Sequence, residues 1–242
     1  MRIALISDIH GNEVALRAVM ASIQAAGVDQ VICLGDVATL GPRPVAILDM
    51  LRELGCPCIL GNHDDFMLDP ALIRTYTEAS IVVDAVDWCR DQLSEEDLAF
   101  LRTFQARLEV PLDGQSTLLL FHGSPRSHME DLLASTPPEE LDRRLEGHAA
   151  TVMAGGHTHL QMLRQHRGIL LVNPGSVGLP FKEYAHGGPP TLLHHAEYAT
   201  VEARGGAVNV SLHRVPVDKD AIRAALKACD NPMRGSLLQQ YA

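Results

Sequence analysis

Short polar segments that directly follow apolar runs constrain this chain more than any other feature of its sequence. Runs such as 3–6, 31–34 and 58–60 are short, continuous and apolar, which is typical of a β-strand covered on both faces. The polar segments are Asp8-Ile9-His10, Gly35-Asp36, Gly61-Asn62-His63-Asp64, His122-Gly123 and Gly156-His157-Thr158-His159. The fold must therefore bring distant strand ends together if these side chains are to act as one site.

Helical periodicity alternates with strands over the first sixty residues. Residues 12–26 and 42–54 predict helices, and Gly27 and Gly55 end them. With the three apolar runs this gives a βαβαβ order, which predicts parallel strands with helical crossovers. Two more helices, at 78–93 and 94–104, predict a helical insertion at about 65–106.

The second half of the sequence returns to strands. We predict strands at 118–121 and 151–154, a helix at 137–146, one hairpin from 161–165 and 169–172, and another from 198–201 and 208–215. A closing helix with Asp218 as its cap covers 218–229, and the last dozen residues are interpreted as a weak tail.

Size and charge exclude several classes of protein. A chain of 242 residues favours one domain spanning 1–242. The formal net charge of -10 makes long nucleic acid and anionic membranes poor partners. No leader pattern or bilayer-length apolar run is visible, and the odd number of cysteines, 5, favours reduced thiols. We therefore predict a cytoplasmic protein with no membrane partner.

The residue types at the strand ends favour a metal site. Asp8 and His10 are two apart, as are His157 and His159, and alternate residues of an extended segment point the same way. Ligands bind beyond the carboxyl ends of parallel strands, where all these segments lie. Divalent first-row metals accept such mixed imidazole and carboxylate ligands, and Asp36 has two oxygens with which to bridge two ions.

Taken in order, these motifs resemble the calcineurin-like metallophosphoesterase superfamily, and its small bacterial phosphodiesterase-like branch in particular. The further motifs that carry the resemblance are Ser7-Asp8-Ile9-His10-Gly11-Asn12 and Asn173-Pro174-Gly175-Ser176-Val177-Gly178. The resemblance implies an α/β fold, a four-layer sandwich of two mixed β-sheets flanked by helices. It is weakest after Gly178.

The resemblance also implies roles for individual residues. The first metal would be held by Asp8, His10, Asp36 and His159, and the second by Asp36, Asn62, His122 and His157. His63 would be the catalytic histidine and Asp64 its orienting partner, and Asn62 and His63 would contact substrate. The cofactors would be two divalent metal ions (Mn, Fe, Ni or Zn), with manganese favoured.

One departure from the family pattern bears on the substrate. Members that dephosphorylate proteins carry Asp-Arg-Gly after the Gly-Asp motif, whereas Thr39 and Leu40 stand there in this chain. A protein phosphatase is therefore disfavoured, although Arg43 is close enough in sequence to replace the missing arginine. Other polar residues have open roles: Asn12 is a cap or a substrate contact, and Arg126, His128 and His186 are solvated loop residues or cleft residues.

The favoured function is hydrolysis of a small phosphodiester or nucleotide by attack of a metal-bridging hydroxide on phosphorus, with His63 donating a proton to the leaving group. The alternatives are a phosphomonoesterase, a dinucleoside polyphosphate hydrolase and, in another class, a non-catalytic metal-binding scaffold. The expected partner is a small phosphorylated substrate, and the oligomeric state is left open.

Overall fold

The computed structural model of this chain describes residues 1–185 and 188–242, so His186 lies outside the described residues. The strands are β1 (Arg2–Ile6), β2 (Gln30–Cys33), β3 (Leu108–Pro111), β4 (Thr117–Leu120), β5 (Val152–Ala154), β6 (Met162–His166), β7 (Ile169–Asn173), β8 (His195–Arg204) and β9 (Ala207–Pro216). The helices are α1 (Glu13–Ala26), α2 (Pro44–Leu54), α3 (Asn62–Leu68), α4 (Ile73–Tyr76), α5 (Ser80–Asp91), α6 (Glu95–Leu101), α7 (Pro138–Leu145), α8 (Lys219–Lys227) and α9 (Arg234–Gln240).

The strands form two mixed sheets. In the first, with order β2-β1-β8-β9, β1 is parallel to β2 and antiparallel to β8. In the second, with order β3-β4-β5-β7-β6, the three central strands are parallel and both edge strands are antiparallel. The parallel strands of both sheets carry the predicted site residues at their carboxyl ends.

Three apolar clusters divide the molecule into layers. One face of β1, with Ile3 and Leu5, packs with Leu118 and Val152 of the second sheet, so this cluster fills the space between the sheets. The opposite face of the first sheet is covered by helices that include α1 and α2. The opposite face of the second sheet packs against α7. The predicted four-layer sandwich of two mixed sheets flanked by helices is confirmed.

The third predicted strand, residues 58–60, is wrong as a regular strand. Cys58 makes an isolated bridge to Cys33, and Ile59 makes another to Gln105. Pro57 has no N–H to donate, and helix α3 begins at Asn62, so too few residues are left for a ladder. The segment still lies beside β2 and delivers Asn62 to the same edge.

Four elements were missed in the sequence, and one of them is the short helix α4 inside the predicted insertion. Strand β3 is an edge strand that alternates half-buried and exposed residues and ends at Pro111, which weakens its signal. Helix α3 begins inside the polar segment at Asn62. Helix α9 replaces the predicted weak tail, and its Met233 and Leu237 lie on or against the main apolar cluster.

Most other predicted elements are confirmed within a few residues. The two hairpins are β6–β7 and β8–β9, and the predicted insertion at about 65–106 contains α4, α5 and α6. Asp218 caps α8 by accepting from Ala221 N, and Asn12 caps α1 by accepting from Ala15 N. Among the described residues, no helix combines the length and apolar character needed to cross a membrane. The single-domain assignment stays a prediction.

Candidate metal centre

The polar segments meet at the carboxyl ends of the parallel strands of the two sheets. Asp8 and His10 follow β1, Asp36 follows β2, and Asn62 opens α3 after the bridge segment. From the second sheet, His122 follows β4, and His157 and His159 follow β5. Six of these side chains are buried, and His157 is half-buried. Each of the two sheets therefore contributes side chains to one largely buried polar site.

The first group of candidate ligands consists of Asp8, His10 and His159. The Nε2 atoms of the two histidines lie 3.0 Å apart, and His159 Nε2 lies 3.3 Å from Asp8 Oδ1. His10 Nε2 lies 4.0 Å from the same oxygen. These atoms are near enough to bind one ion together.

The second group consists of Asp36, His122 and His157. His122 Nε2 lies 3.3 Å from Asp36 Oδ2 and 3.1 Å from Asn62 Oδ1. The Asn62 oxygen also lies 3.0 Å from His157 Nδ1. Asn62 therefore stands between the two histidines, with its carbonyl oxygen directed at the same point as their ring nitrogens.

The two groups adjoin through Asp36. Its Oδ2 faces His122 of the second group and lies 3.8 Å from His10 Nε2 of the first. Its Oδ1 accepts a hydrogen bond of 2.8 Å from His63 N. Oδ1 is thus hydrogen-bonded to the backbone and Oδ2 faces both groups, and the bridging role of Asp36 stays a prediction.

Backbone carbonyls set the orientation of two of the histidines. His159 Nδ1 donates to Leu179 O at 2.7 Å, and His122 Nδ1 donates to Leu34 O at 2.7 Å. When the rings are neutral, each Nε2 therefore carries a lone pair directed into the site. His10 Nδ1 lies 3.1 Å from the hydroxyl of Thr39, a residue that the sequence analysis did not assign to the site.

The site requires positive charge. Burial opposes ionisation of Asp8 and Asp36, but His159 beside the first and His122 beside the second hold the pKa of each carboxyl below its usual value. Burial lowers the pKa of His122, yet the Asp36 carboxylate outweighs it and raises that pKa to about 10. Burial lowers the pKa of His157 to about 4. Two buried carboxylates are thus held ionised where little solvent reaches them.

The donor set fits divalent cations. Asp8 Oδ1 is buried and has no hydrogen-bond donor among the described residues. The Asn62 oxygen and His122 Nε2 lie beside Asp36 Oδ2, and a cation that takes the place of the His122 Nε2 proton would be held by all three atoms at once. Imidazole, carboxylate and amide oxygen are the ligand types that first-row divalent metals accept.

The backbone at the candidate ligands is itself unusual. Asp8, His10, Asp36, His157 and His159 all have positive φ, between 45° and 69°. Non-glycine residues adopt this left-handed region at a cost, and such residues concentrate at functional sites. The loops that follow these strands therefore hold the candidate ligands in backbone conformations that are unfavourable for non-glycine residues.

Two glycines permit close approach of the ligand loops. A Cβ on Gly61 would lie 2.1 Å from Asp36 Oδ1, and a Cβ on Gly156 would lie 1.9 Å from Ser7 Oγ and 2.5 Å from Asp8 Oδ2. Any larger residue at either position would displace a candidate ligand.

Asp64 has different partners from those expected. Its Oδ2 accepts from Asp36 N at 2.8 Å and from Gly61 N at 2.9 Å, and its Oδ1 accepts from Val37 N at 2.9 Å. Among the described residues, His63 Nδ1 has no hydrogen-bond partner, so the expected orienting contact is corrected. Burial, with the nearby Asp36 charge, raises the pKa of Asp64 to about 7. Asp64 holds the two ligand loops together.

The Asn-Pro-Gly-Ser motif braces the site from the second sheet. Asn173 Nδ2 donates to Gly156 O at 2.6 Å, and Ser176 Oγ donates to Asp8 O at 2.6 Å. The same hydroxyl accepts from Leu179 N, and Leu179 O receives the His159 ring. The motif was visible in the sequence, but its supporting role required the structure.

Two other supporting residues gave no sequence signal. Asp131 Oδ1 lies 3.4 Å from His157 Nε2, and the Tyr184 hydroxyl donates to the other Asp131 oxygen. Phe181 stacks on the His159 ring with centroids 4.2 Å apart. Both are distant in sequence from the residues they touch.

Several residues with open roles lie elsewhere. Arg43 borders a separate depression with Trp88, so the structure does not place it at the vacated arginine position. Arg126 donates to Arg143 O and pairs with Glu130. His128 faces Asp65 at 3.6 Å.

A cleft of about 190 Å³ opens beside the candidate ligands. Its lining includes the polar residues Asn62 and His63 and the apolar residues Met233 and Leu237 from the last helix. The apolar spacing of 233, 237 and 241 is a helical signal that sequence analysis passed over.

Comparisons with known proteins agree with this architecture. The sequence profile of the calcineurin-like phosphoesterase superfamily domain matches residues 1–202. An uncharacterized protein of Methanocaldococcus jannaschii is 28% identical over an alignment of 193 residues, which covers 74% of this chain and 76% of that protein. A metallophosphoesterase from Sphaerobacter thermophilus superposes with a TM-score of 0.75 at 27% identity, covering 100% of this chain and 98% of that one. A hypothetical protein from Pyrococcus horikoshii shares the fold with a TM-score of 0.83 at 20% identity, covering 98% of this chain and 97% of its own.

Proposed function

This chain belongs to the calcineurin-like phosphoesterase superfamily, and on that premise we propose that it is a dinuclear metal-dependent phosphoesterase that hydrolyses a small phosphodiester or nucleotide. The observation that supports this most is the pair of adjoining ligand groups, three residues each, with Asp36 Oδ2 facing both. Manganese is the favoured metal, and the cytoplasm is the proposed location.

The proposed ligands divide between two ions. Asp8, His10 and His159 hold the first, and Asn62, His122 and His157 hold the second, with Asp36 shared. Bound divalent cations supply Lewis acidity and a water that is deprotonated near neutral pH. The acidic chain, with a net charge of -10, thereby gains a local attraction for phosphate.

Asn62 and His63 are proposed to act on the substrate. Both line the cleft, and each has a buried nitrogen without a hydrogen-bond partner among the described residues, Nδ2 of Asn62 and Nδ1 of His63. The Asn62 amide would donate to a phosphoryl oxygen. The His63 ring lies 5.1 Å from the His10 ring, close enough to the ligands to protonate the leaving oxygen.

The test is a His63→Ala variant assayed on bis(p-nitrophenyl) phosphate with added manganese. Turnover should fall roughly 10²–10⁴-fold, the usual contribution of general acid catalysis, while the metal content of the purified protein stays at the wild-type value. His128→Ala is the matched control, because His128 faces Asp65 and does not line the cleft.

Elemental analysis separates the possible outcomes. A fall in metal content that matches the fall in turnover would make His63 a ligand and overturn its proposed role. Asp36→Ala should empty both sites, and full occupancy by two ions in that variant would contradict the shared ligand.

A further inference from the structure

The cleft beside the candidate ligands has two chemically different sides. One side is formed by histidine, aspartate and asparagine side chains of the proposed metal centre. The other side is apolar and includes Leu179, Leu192, Met233 and Leu237. An ester whose phosphorus lies at the centre would therefore have one substituent pressed against apolar side chains.

Helix α9 is fixed in place as part of this apolar side. Before the helix, Asn231 Nδ2 donates to Leu40 O at 3.2 Å and to Gly41 O at 3.1 Å. At its end, Gln240 accepts from Leu192 N and donates to Pro190 O, both at 3.1 Å. Because both ends are tied to loops that line the cleft, the apolar side is preformed and does not depend on substrate to assemble.

Aromatic rings complete the apolar surroundings. Tyr76 is 45% exposed although it lines the cleft, and its ring lies 6.4 Å from that of His63. Phe181 lines the cleft beside His159. Aromatic side chains with an exposed face at a pocket offer stacking partners to a ring in the ligand.

The charges of the cleft argue against a second phosphate. No Lys or Arg lines it among residues 1–185 and 188–242. A nucleoside polyphosphate brings further anionic groups, which need cationic donors once they leave water. In this cleft they would face leucine, proline and methionine side chains instead.

We propose that α9, together with Tyr76 and Phe181 of the same cleft, selects phosphodiesters in which the ester group that stays on phosphorus is an uncharged, ring-sized apolar group. This inference rests on the proposed phosphoesterase function and narrows its substrate class. It disfavours dinucleoside polyphosphates, which the motifs alone left open.

The first experiment compares diesters that share p-nitrophenol as leaving group. Phenyl p-nitrophenyl phosphate should exceed methyl p-nitrophenyl phosphate in kcat/KM by about 10- to 100-fold, as expected for burial of one aromatic ring. Thymidine 5′-(p-nitrophenyl phosphate) should likewise exceed the same compound carrying a 3′-phosphate. Equal values within either pair would overturn the inference.

A charge placed on α9 tests the role of the helix itself. Ser236 is exposed and lines the cleft, whereas Gln239 is exposed on the same helix and does not line it. Ser236→Arg should improve the relative kcat/KM of the 3′-phosphorylated substrate by about fivefold, the upper range for a partly exposed ion pair. The matched control Gln239→Arg adds the same charge and should leave the ratio at its wild-type value. Identical ratios in the two variants would remove α9 as the determinant.

Calorimetry gives a readout that needs no turnover. Phenylphosphonate should bind the manganese-loaded protein about tenfold more tightly than methylphosphonate, with a more negative heat capacity change. Hydrolysis of no ester would overturn the proposed function, and the phosphonate titration would still decide the inference about the cleft. Hydrolysis with no preference for the phenyl group would overturn the inference alone.

Discussion

Single hydroxyl and carbonyl groups behind the candidate ligands decide where the ring nitrogens point. His122 and His159 are held by backbone carbonyls, which no side-chain substitution can remove. His10 is different, because its Nδ1 faces the hydroxyl of Thr39. Residues that orient metal-binding histidines strongly affect metal affinity. The hydroxyl of Thr39 is therefore the one orienting group of these three that can be tested by mutation.

Thr39→Val should lower manganese affinity by about 10–100-fold, because the near-isosteric change replaces the hydroxyl beside His10 with a methyl group. Competition with a chelator of known affinity measures the effect. Thr200→Val is the matched control: Thr200 is also buried and pairs with a ring nitrogen, that of His213 at 2.9 Å on the neighbouring strand β9. Equal affinities in the two variants would show that the Thr39 hydroxyl does not orient a ligand.

Asp64→Asn should reduce stability and metal binding together. The carboxylate accepts three backbone hydrogen bonds, and an amide cannot accept all of them. Leaving a buried N–H unpaired costs about 1–3 kcal/mol, which urea unfolding can measure. The control is Asp65→Asn, one residue further along α3, whose carboxylate faces His128. Lost turnover at wild-type stability and metal content would restore the orienting role for His63.

At the scale of elements, periodicity predicted the helices and strands whose own sequence has a regular apolar pattern. It did not predict segments whose conformation depends on hydrogen bonds from neighbouring segments. The long hairpin β8–β9 and helix α1 have clear patterns, so they were predicted. The bridge at 58–60 is extended only because Cys33 and Gln105 bond to it from either side. The candidate ligands could be predicted because most of them follow a strand, but the partners of Asp64 and Asp36 depend on which loops the fold places side by side.

The contribution to stability of the ion pairs between α7 and the β6–β7 hairpin should depend on pH. Hydrogen bonds from Arg167 and His166 lower the pKa of Asp142 to about 2. Because the folded-state pKa lies below the unfolded value, the contribution is complete above about pH 4 and is lost as pH falls toward 2. The stability difference between wild type and Asp142→Asn, from urea titrations, should be small, should persist down to about pH 4, and should shrink as the pH falls from there toward 2. A difference that grows on acidification would contradict this pairing.

At the scale of the whole molecule, the candidate metal ligands come from both sheets. Asp8, His10 and Asp36 come from the first sheet, and His122, His157 and His159 come from the second. Ions bound between them would tie together two halves that otherwise meet through an apolar core. Metal binding should therefore contribute to the stability of the fold as a whole.

Removal of metal should lower the thermal midpoint of the entire protein. At a free manganese concentration 100 times the dissociation constant, mass action stabilises the folded state by about 2.7 kcal/mol per site. Calorimetric scans with chelator and with manganese measure the shift. Asp36→Ala should abolish the response, whereas Asp91→Ala, an exposed carboxylate at the end of α5, should retain it. An unchanged midpoint in the wild type would show that no ion joins the sheets.

The positive φ angles at the candidate ligands restrict which residues can replace them during evolution. Asp8, His10, Asp36, His157 and His159 occupy conformations that disfavour most side chains whether or not an ion is present. In relatives that no longer need catalytic activity, selection would no longer keep metal-binding side chains at these positions. The requirement for a positive φ angle would remain. Glycine and asparagine should then accumulate at these positions before valine or isoleucine, leaving a lasting signature of an abandoned metal centre.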